Sequence, residues 1–111
     1  MPTTRVVNVW VPVVAWAAAI FALSSVPALD SGLGWDLLLR KAAHFTEYAV
    51  LGALLARAVR ELPAFAFAVA YAVTDELHQM FVPGRAGTLL DVAVDAAGAL
   101  TGILVLRRLR A

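Results

Sequence analysis

Two short segments of the sequence carry residue types that can move protons or hold a metal ion. His44-x-x-Glu47 and Asp75-x-x-His78 each place an imidazole and a carboxylate three residues apart, which brings both groups to one face of a helix. A further carboxylate, Asp95, follows in a third segment. Mixed histidine and carboxylate sets suit Zn²⁺, Mn²⁺ or Mg²⁺, and they also suit general acid and base catalysis. All five residues are candidate metal ligands, and the two pairs are the candidate catalytic residues.

The same sequence excludes several other kinds of site. The two pairs do not form the HExxH motif of zinc proteases, and the chain has no glycine-rich phosphate loop. It has no cysteine and therefore no disulfide or thiolate site. Ser24 and Ser25 are the only plausible serine nucleophiles, and no base is expected beside them. Because each histidine could also be a hydrogen-bonded core residue, a divalent metal cofactor is one of several open alternatives.

The composition indicates a membrane protein. Of 111 residues, 62% are hydrophobic and only 15% are charged, and the mean hydropathy is +0.83. A soluble protein of this size has too much surface to bury that much apolar material. Four apolar segments, residues 6–23, 42–59, 62–82 and 89–106, are each long enough to nearly cross a bilayer core of about 30 Å as a helix. We therefore expect one all-α domain over residues 1–111, with four transmembrane helices in an antiparallel bundle.

The distribution of basic residues predicts the orientation. With four spans, both termini and the turn at residues 57–61 lie on one side of the membrane, and six of the nine basic residues share that side. The positive-inside rule places this side in the cytoplasm of a multi-pass protein of the cell membrane. The net charge of only +1 gives no indication of a nucleic-acid partner. A competing interpretation makes the first span a signal peptide that is cleaved near Val26-Pro27-Ala28.

In this topology the polar residues of spans two, three and four fall at one depth, in the outer half of the membrane. A central aspartate costs about 2.5–3.5 kcal/mol on an insertion scale, so these side chains are expected to face one another or a water-filled cleft rather than lipid. The default interpretation of ionisable groups within a membrane is a functional site. The predicted ligand-binding residues, which we call the polar layer, are Lys41, His44, Glu47, Tyr48, Asp75, Glu76, His78, Gln79, Arg85, Asp91 and Asp95.

Some of these residues also have a structural interpretation. Thr88-x-x-Asp91 is a capping-box pattern at the start of span four, and Lys41 could extend to the membrane surface as an anchor. Arg85 could be a surface charge, although its position above the carboxyls favours an ion pair. Gln79 is expected to hydrogen-bond between helices, and Gly98-x-x-x-Gly102 is expected to allow close helix packing. The tryptophans are assigned to packing and interfacial anchoring.

Taken together, the motifs resemble those of the VanZ-like membrane proteins over essentially the full length of the chain. The matching stretches are Ser24-Ser25-Val26-Pro27, Lys41-x-x-His44-Phe45-x-Glu47-Tyr48, Asp75-Glu76-x-His78-Gln79-x-Phe81-x-Pro83-Gly84-Arg85 and Asp91-x-x-x-Asp95-x-x-Gly98. At Asp95 the family pattern usually has asparagine, so this chain carries an additional carboxyl there. The resemblance implies a polytopic protein of the bacterial cell envelope, and the family's namesake is associated with resistance to the glycopeptide teicoplanin. It implies no particular reaction.

Three functions are compatible with these residues. In the first, the polar layer binds the charged head group of a membrane lipid or a lipid-linked cell-wall precursor, with Lys41 and Arg85 contacting phosphate or carboxylate. In the second, the histidines and carboxylates catalyse a reaction on a lipid-linked phosphate or glycan, with or without a metal. In the third, the layer belongs to a proton or ion pathway, although the apolar inner halves of the spans disfavour a conduit. We favour the first, and the sequence leaves open whether the protein is an enzyme.

Overall fold

Four helices make up the part of the chain that the structure, a computed structural model, describes: residues 2–25, 36–83 and 89–111. Helix α1 spans Pro2–Ser24, α2 spans Asp36–Ala58, α3 spans Glu61–Gln79 and α4 spans Leu89–Arg110. No strand occurs in these three ranges, so the expected all-α class is confirmed. Arg85, Thr88 and the alternative cleavage site at residues 26–28 lie outside the described residues.

Helix α2 starts earlier than the predicted span. It begins at Asp36 rather than at residue 42, because the charged residues before position 42 lower the hydropathy without disfavouring a helix. Arginine, lysine and leucine, which make up most of this extension, are all good helix formers. Lys41 and His44 are therefore held inside a continuous helix.

Helix α3 ends sooner than the predicted span. Its last residue is Gln79, and the backbone N–H groups of Met80, Phe81 and Val82 then donate to the carbonyls of Glu76, His78 and Gln79 in a closing turn. Pro83 prevents the helix from continuing, because proline has no N–H to donate and its ring would clash with the carbonyl of Gln79, four residues earlier. The polar residues of α3 consequently occupy its final helical turn.

By length and composition, two of the four helices could cross a membrane: Thr3–Ser24 and Leu89–Arg110. By these criteria the prediction of four spans holds for α1 and α4 only. α2 carries charged residues near both ends and in its middle, and the polar residues 75–79 lower the hydropathy of α3. The charged residues of α2 and the polar residues at the end of α3 therefore distinguish these two helices from ordinary spans, whereas α4 meets the criteria despite Asp91 and Asp95.

Helix α2 lies at the centre of the bundle and contacts each of the other three helices. Consecutive helices run antiparallel, so α2 and α4 run in the same direction, and their mutual contact is the most extensive in the bundle. Gly52, Gly98 and Gly102 make this contact close, because a Cβ on any of them would overlap a backbone carbonyl of the other helix. The GxxxG spacing of α4 thus has the packing role that it predicts.

The core beside the polar layer consists of small and aliphatic side chains. Ala64, Ala68 and Ala72 recur every four residues along α3, and all three are fully buried. They pack in one cluster with Leu51 and Leu55 of α2. The outside of the bundle is also apolar, with Val14, Leu38, Leu62, Phe81, Leu89 and Leu109 among its exposed large side chains. Such an apolar surface is typical of a protein that contacts lipid or another protein.

Candidate functional site

Three side chains from three different helices meet inside one end of the bundle. His44 of α2, Asp75 of α3 and Asp95 of α4 each offer a possible ligand atom, and these atoms all lie within 4.8 Å of one another. Asp75 is 2% exposed and Asp95 is completely buried. We call these three residues the buried triad. It lies at the end of the bundle where α2 and α4 begin and where α3 ends.

His44 and Asp95 are in contact within the triad. The distance between His44 Nδ1 and Asp95 Oδ1 is 3.3 Å, but the two atoms are not aligned as a hydrogen bond. Neither carboxylate oxygen of Asp95 has a hydrogen-bond partner within residues 2–25, 36–83 and 89–111. A buried carboxylate is costly without such partners, and a neutral imidazole does not neutralise it. The pair is therefore electrically balanced when the imidazole is protonated, when the carboxyl itself is protonated, or when another cation is bound.

Tyr48 holds the second carboxylate of the triad. Its hydroxyl donates a hydrogen bond of 3.2 Å to Asp75 Oδ2, and the whole residue is buried. The other oxygen, Asp75 Oδ1, is buried and has no hydrogen-bond partner in the described part of the chain. Asp75 is thus fixed through one oxygen while the other retains its full capacity to accept a donor or a cation.

A second ion pair lies one turn before the triad. Lys41 Nζ donates to Asp91 Oδ1 over 2.6 Å and so joins α2 to the first turn of α4. Side-chain exposure falls from 27% at Lys41 and 21% at Asp91 to 15% at His44 and 0% at Asp95. A polar path therefore leads from the surface of the bundle to the triad.

His78, a candidate metal ligand, belongs to a different set of contacts. Its Nε2 lies 3.2 Å from Ser25 Oγ, and its ring stacks on Phe21 with a centroid distance of 4.2 Å and an interplanar angle of 11°. Gln79 donates from Nε2 to Ser24 Oγ over 3.3 Å, so its expected interhelical bond is present. The sequence prediction that no base lies beside the serines is wrong, because α3 brings His78 to the end of α1.

Two other predicted residues lie near the triad without belonging to it. Glu47 is half-buried on α2, and Glu76, 6% exposed, lies next to Asp75 on α3. Both residues take part in further interactions. Arg85, the proposed phosphate contact, lies outside the described residues. The triad therefore contains one residue from each predicted pair, His44 from His44-x-x-Glu47 and Asp75 from Asp75-x-x-His78, together with Asp95.

Helix α1 is tied to the site by two hydrogen bonds from aromatic side chains. Trp16 donates from Nε1 to the backbone carbonyl of Glu47 over 2.8 Å, and the Tyr71 hydroxyl donates to the backbone carbonyl of Ala17. The tryptophans were expected to serve packing and anchoring only. A donor such as an indole N–H in an apolar helix is the available signal, because it needs an acceptor when it is withdrawn from water.

The arrangement offers two kinds of chemistry. One imidazole and two carboxylates can coordinate a transition-metal ion, and an imidazole beside a carboxylate can also act as a proton acceptor whose orientation is fixed. Both uses draw on the same atoms. Among the described residues, the second histidine, His78, does not take part, and the sequence has no cysteine to supply a thiolate.

A helical bundle with an apolar surface, two helices of spanning length and a buried polar cluster indicates a helical membrane protein. The chain belongs to the VanZ/LLP1 family, which it matches over residues 2–110. The resemblance of the motifs to VanZ-like proteins is therefore confirmed across essentially the whole chain. No curated protein and no solved structure shows significant similarity to it.

Proposed function

We propose that this protein is a multi-pass protein of the bacterial cell membrane in which all four helices cross the bilayer and both termini are cytoplasmic. Two observations support this. In the sequence, α2 and α3 lie between the two apolar helices α1 and α4. Their polar residues point into the bundle at one end. The opposite end carries a concentration of arginines on α2, α4 and the turn between α2 and α3, as the positive-inside rule requires of a cytoplasmic face: Arg57, Arg60, Arg107, Arg108 and Arg110.

The absence of cysteine allows a direct test of this topology. Single cysteines are introduced as Pro83→Cys, in the turn after α3, and as Arg60→Cys, in the turn before it; both positions are exposed. In intact cells a membrane-impermeant maleimide should label only the Pro83→Cys variant, and the Arg60→Cys variant should react after permeabilisation. Labelling of Arg60→Cys in intact cells would overturn the orientation.

We further propose that the polar layer binds the charged head group of a membrane lipid or of a lipid-linked cell-wall precursor. The observation that carries this proposal is the graded exposure along Lys41, Asp91, His44 and Asp95. A head group at the outer surface would meet the Lys41–Asp91 pair first, and an anionic group could replace Asp91 as the acceptor of the ammonium. Lys41 and Arg85 remain the proposed contacts to phosphate or carboxylate.

Lipid binding can be tested on the protein purified in mild detergent. Native mass spectrometry should detect retained anionic lipid, and the midpoint of thermal unfolding should rise on addition of phosphatidic acid but not of diacylglycerol, which lacks the phosphate. The Lys41→Gln variant should lose this rise, whereas Arg57→Gln, at the opposite end, should keep it. Addition of a lipid-linked pyrophosphate glycan, as a third condition, tests whether a cell-wall precursor also stabilises the protein. The proposal fails if no such lipid is retained and none stabilises the protein.

Catalysis is the second candidate, and the His44–Asp95 contact favours it. Because Nδ1 of His44 faces the carboxylate, the opposite nitrogen, Nε2, is the one that could exchange a proton with a substrate. A lipid-linked phosphate or glycan is the proposed substrate class. Turnover that disappears in His44→Gln but persists in His78→Gln would favour an enzyme. Stoichiometric binding without turnover would instead favour a binding protein.

A proton or ion pathway has weaker support. Next to the triad, toward the arginine-rich end, the buried side chains are Leu51, Leu55, Ala68 and Ile103, which offer no polar groups to a permeating ion.

The namesake's association with teicoplanin resistance agrees better with a cell-wall precursor as the ligand than with an ion pathway. Expression of the chain in a teicoplanin-sensitive host should then raise the inhibitory concentration, and the Asp95→Ala variant should not.

A further inference from the structure

We propose that His44, Asp75 and Asp95 form a binding site for one divalent transition-metal ion, of the Zn²⁺ or Mn²⁺ class. This site goes beyond the proposed recognition of a head group and does not depend on it. The ion would link α2, α3 and α4 at the buried end of the polar path.

The positions of the three side chains meet the geometric requirement. Metal–ligand distances of about 2.0–2.2 Å place neighbouring ligand atoms roughly 3 Å apart and opposite ones roughly 4.4 Å apart. The candidate atoms of the triad lie within 4.8 Å of one another. The spread of the candidate atoms is thus close to that of a coordination sphere, and small adjustments of the side chains would complete it.

The unsatisfied oxygens of the triad point independently to a missing partner. Both oxygens of the fully buried Asp95 and Oδ1 of Asp75 have no hydrogen-bond partner within the described ranges. Buried polar atoms in native proteins nearly always have one, and a carboxylate that lacks one pays a large desolvation penalty. A metal ion coordinated by these oxygens would remove that penalty at both residues together.

The charge balance also favours a divalent ion. Two ionised carboxylates and a neutral imidazole carry a charge of two negative units, which a divalent cation neutralises completely. The nearest described ammonium, Lys41, is already engaged with Asp91. Neutrality is valuable here because the surroundings are apolar and electrostatic interactions are poorly screened.

Tyr48 supplies the support that metal-ligating carboxylates usually have. Its hydroxyl donates to Asp75 Oδ2 and thereby restricts the rotation of that carboxylate, which leaves Oδ1 as the ligand. The mixture of one nitrogen and two oxygen donors suits Zn²⁺ or Mn²⁺ better than Ca²⁺, which takes six to eight oxygen ligands. The coordination positions beyond the three protein ligands would be open to water.

The test uses the full chain purified in mild detergent, stripped with a chelator and then titrated with Zn²⁺ or Mn²⁺. Elemental analysis after desalting should find one ion per chain, and pulsed electron paramagnetic resonance of the Mn²⁺ form should show coupling to an imidazole nitrogen. His44→Gln should abolish that nitrogen coupling. His44→Gln and Asp95→Asn should each lower the affinity roughly tenfold or more.

Two matched controls separate the site from a general effect of losing a histidine or a carboxyl. His78→Gln and Glu61→Gln should retain the stoichiometry and affinity of the unmodified protein, because His78 contacts Ser25 and Phe21 rather than the triad and Glu61 lies at the opposite end of the bundle. Asp95→Asn removes a buried carboxylate charge, so it should fold, and circular dichroism checks this. The proposal is overturned if the unmodified protein retains no ion, or if the controls lose affinity as strongly as the triad variants. Head-group binding could fail in either case without affecting this result, since the titration contains no added lipid.

Discussion

Asp75 and Asp95 lie deeper in the protein than carboxylates normally do, at 2% and 0% exposure. The cost of burying these carboxylates is offset only in part: Tyr48 donates a hydrogen bond to Asp75, and His44 Nδ1 lies 3.3 Å from Asp95 Oδ1. A site with this much uncompensated polarity is poor as a stabilising device, because replacing it with apolar side chains would often leave the fold as stable. At the residue scale, the cluster is therefore better explained by ligand binding than by folding.

The Tyr48 hydroxyl provides a prediction at this scale. Tyr48→Phe keeps the ring and removes the only described donor to Asp75, so the free energy of unfolding should fall by about 1 kcal/mol. Unfolding by sodium dodecyl sulfate in mixed micelles measures this change. Thr74→Ala serves as a control, since the Thr74 hydroxyl donates only to the carbonyl of Ala70 in its own helix and is exposed to the surroundings. Equal stability of Tyr48→Phe and the unmodified protein would contradict the role of this bond.

At the scale of the helices, the site depends on how closely α2 and α4 approach. Gly98 faces the backbone of Phe45 next to His44, and Gly102 faces Ala49 one turn further along. These contacts fix the relative height of the two helices. The same alignment brings Lys41 opposite Asp91, so glycine packing and the polar contacts depend on one register.

Gly102→Ala tests the close approach of the helices. In a free helix this change would be favourable by about 1 kcal/mol, because alanine has the higher helix propensity. Here the added Cβ overlaps the backbone of Ala49, so we expect the free energy of unfolding to fall by roughly 1–3 kcal/mol. The adjacent exposed Thr101→Ala variant should change little. A stabilised Gly102→Ala protein would show that the helices are further apart.

The Lys41–Asp91 ion pair makes a second prediction for the same interface. A double-mutant cycle with Lys41→Gln and Asp91→Asn should give a coupling energy of about 1 kcal/mol, since both side chains are partly buried. The matched cycle with Glu61→Gln and Arg107→Gln, an exposed pair at the other end of α3 and α4, should give a smaller value that vanishes at high salt. Additive effects at Lys41 and Asp91 would contradict the pairing.

At the scale of the whole molecule, the two ends of the bundle differ in chemistry. One end buries carboxylates and a histidine between helices, and the other exposes arginines and joins α3 to α4 through the Glu61–Arg107 ion pair. The guanidinium of Arg107 lowers the pKa of Glu61 through hydrogen bonding and charge, and Glu61 in turn raises the pKa of Arg107. This asymmetry supports the proposed orientation, in which the two ends face different sides of a membrane.

The lowered pKa of Glu61 gives a pH dependence with a defined sign. The stabilisation from this pair is present above the ordinary glutamate pKa and is lost as the pH falls through the lower pKa of the folded protein. In Arg107→Gln the pKa of Glu61 should return toward its ordinary value. Titration of the ¹³C-labelled glutamate carboxyls by NMR measures both. An unchanged pKa in the variant would show that the pair does not form in solution.

The sequence was most informative where burial and helical spacing coincide. It predicted the all-α class, the inward position of His44, Asp75 and Asp95, and the close packing at Gly98 and Gly102. A charged side chain in an apolar helix is costly to expose to lipid, and glycine in such a helix allows close approach of a neighbour. It did not predict that His78 would contact Ser25 of α1 rather than the buried triad. Spacing within one helix cannot reveal which neighbouring helix a side chain meets, and this choice depends on the docking of α1.

The limits of α2 and α3 were also beyond the sequence pattern. Hydropathy marks where a helix becomes apolar and not where its hydrogen bonds begin, so the start of α2 at Asp36 was missed. The apolar segments of α2 and α3 resembled ordinary spans, but with their polar residues included these helices do not meet the length and composition criteria that α1 and α4 meet. The ligand-binding role of the polar layer remains a prediction.

The convergence of the triad is tested most directly by the distance between His44 and Asp95 in lipid bilayers. In proteoliposomes of the His78→Gln variant, which retains a single histidine, ¹⁵N-labelled histidine and ¹³C-labelled aspartate carboxyls allow the dipolar coupling between them to be measured by solid-state NMR. We predict a measurable coupling, because Nδ1 lies 3.3 Å from Oδ1, the oxygen bonded to the labelled carboxyl carbon, and this coupling should weaken in Asp95→Asn prepared with the same labels. No measurable coupling in the His78→Gln protein would mean that α2 and α4 do not bring these side chains together, and the account of a shared buried site would be wrong.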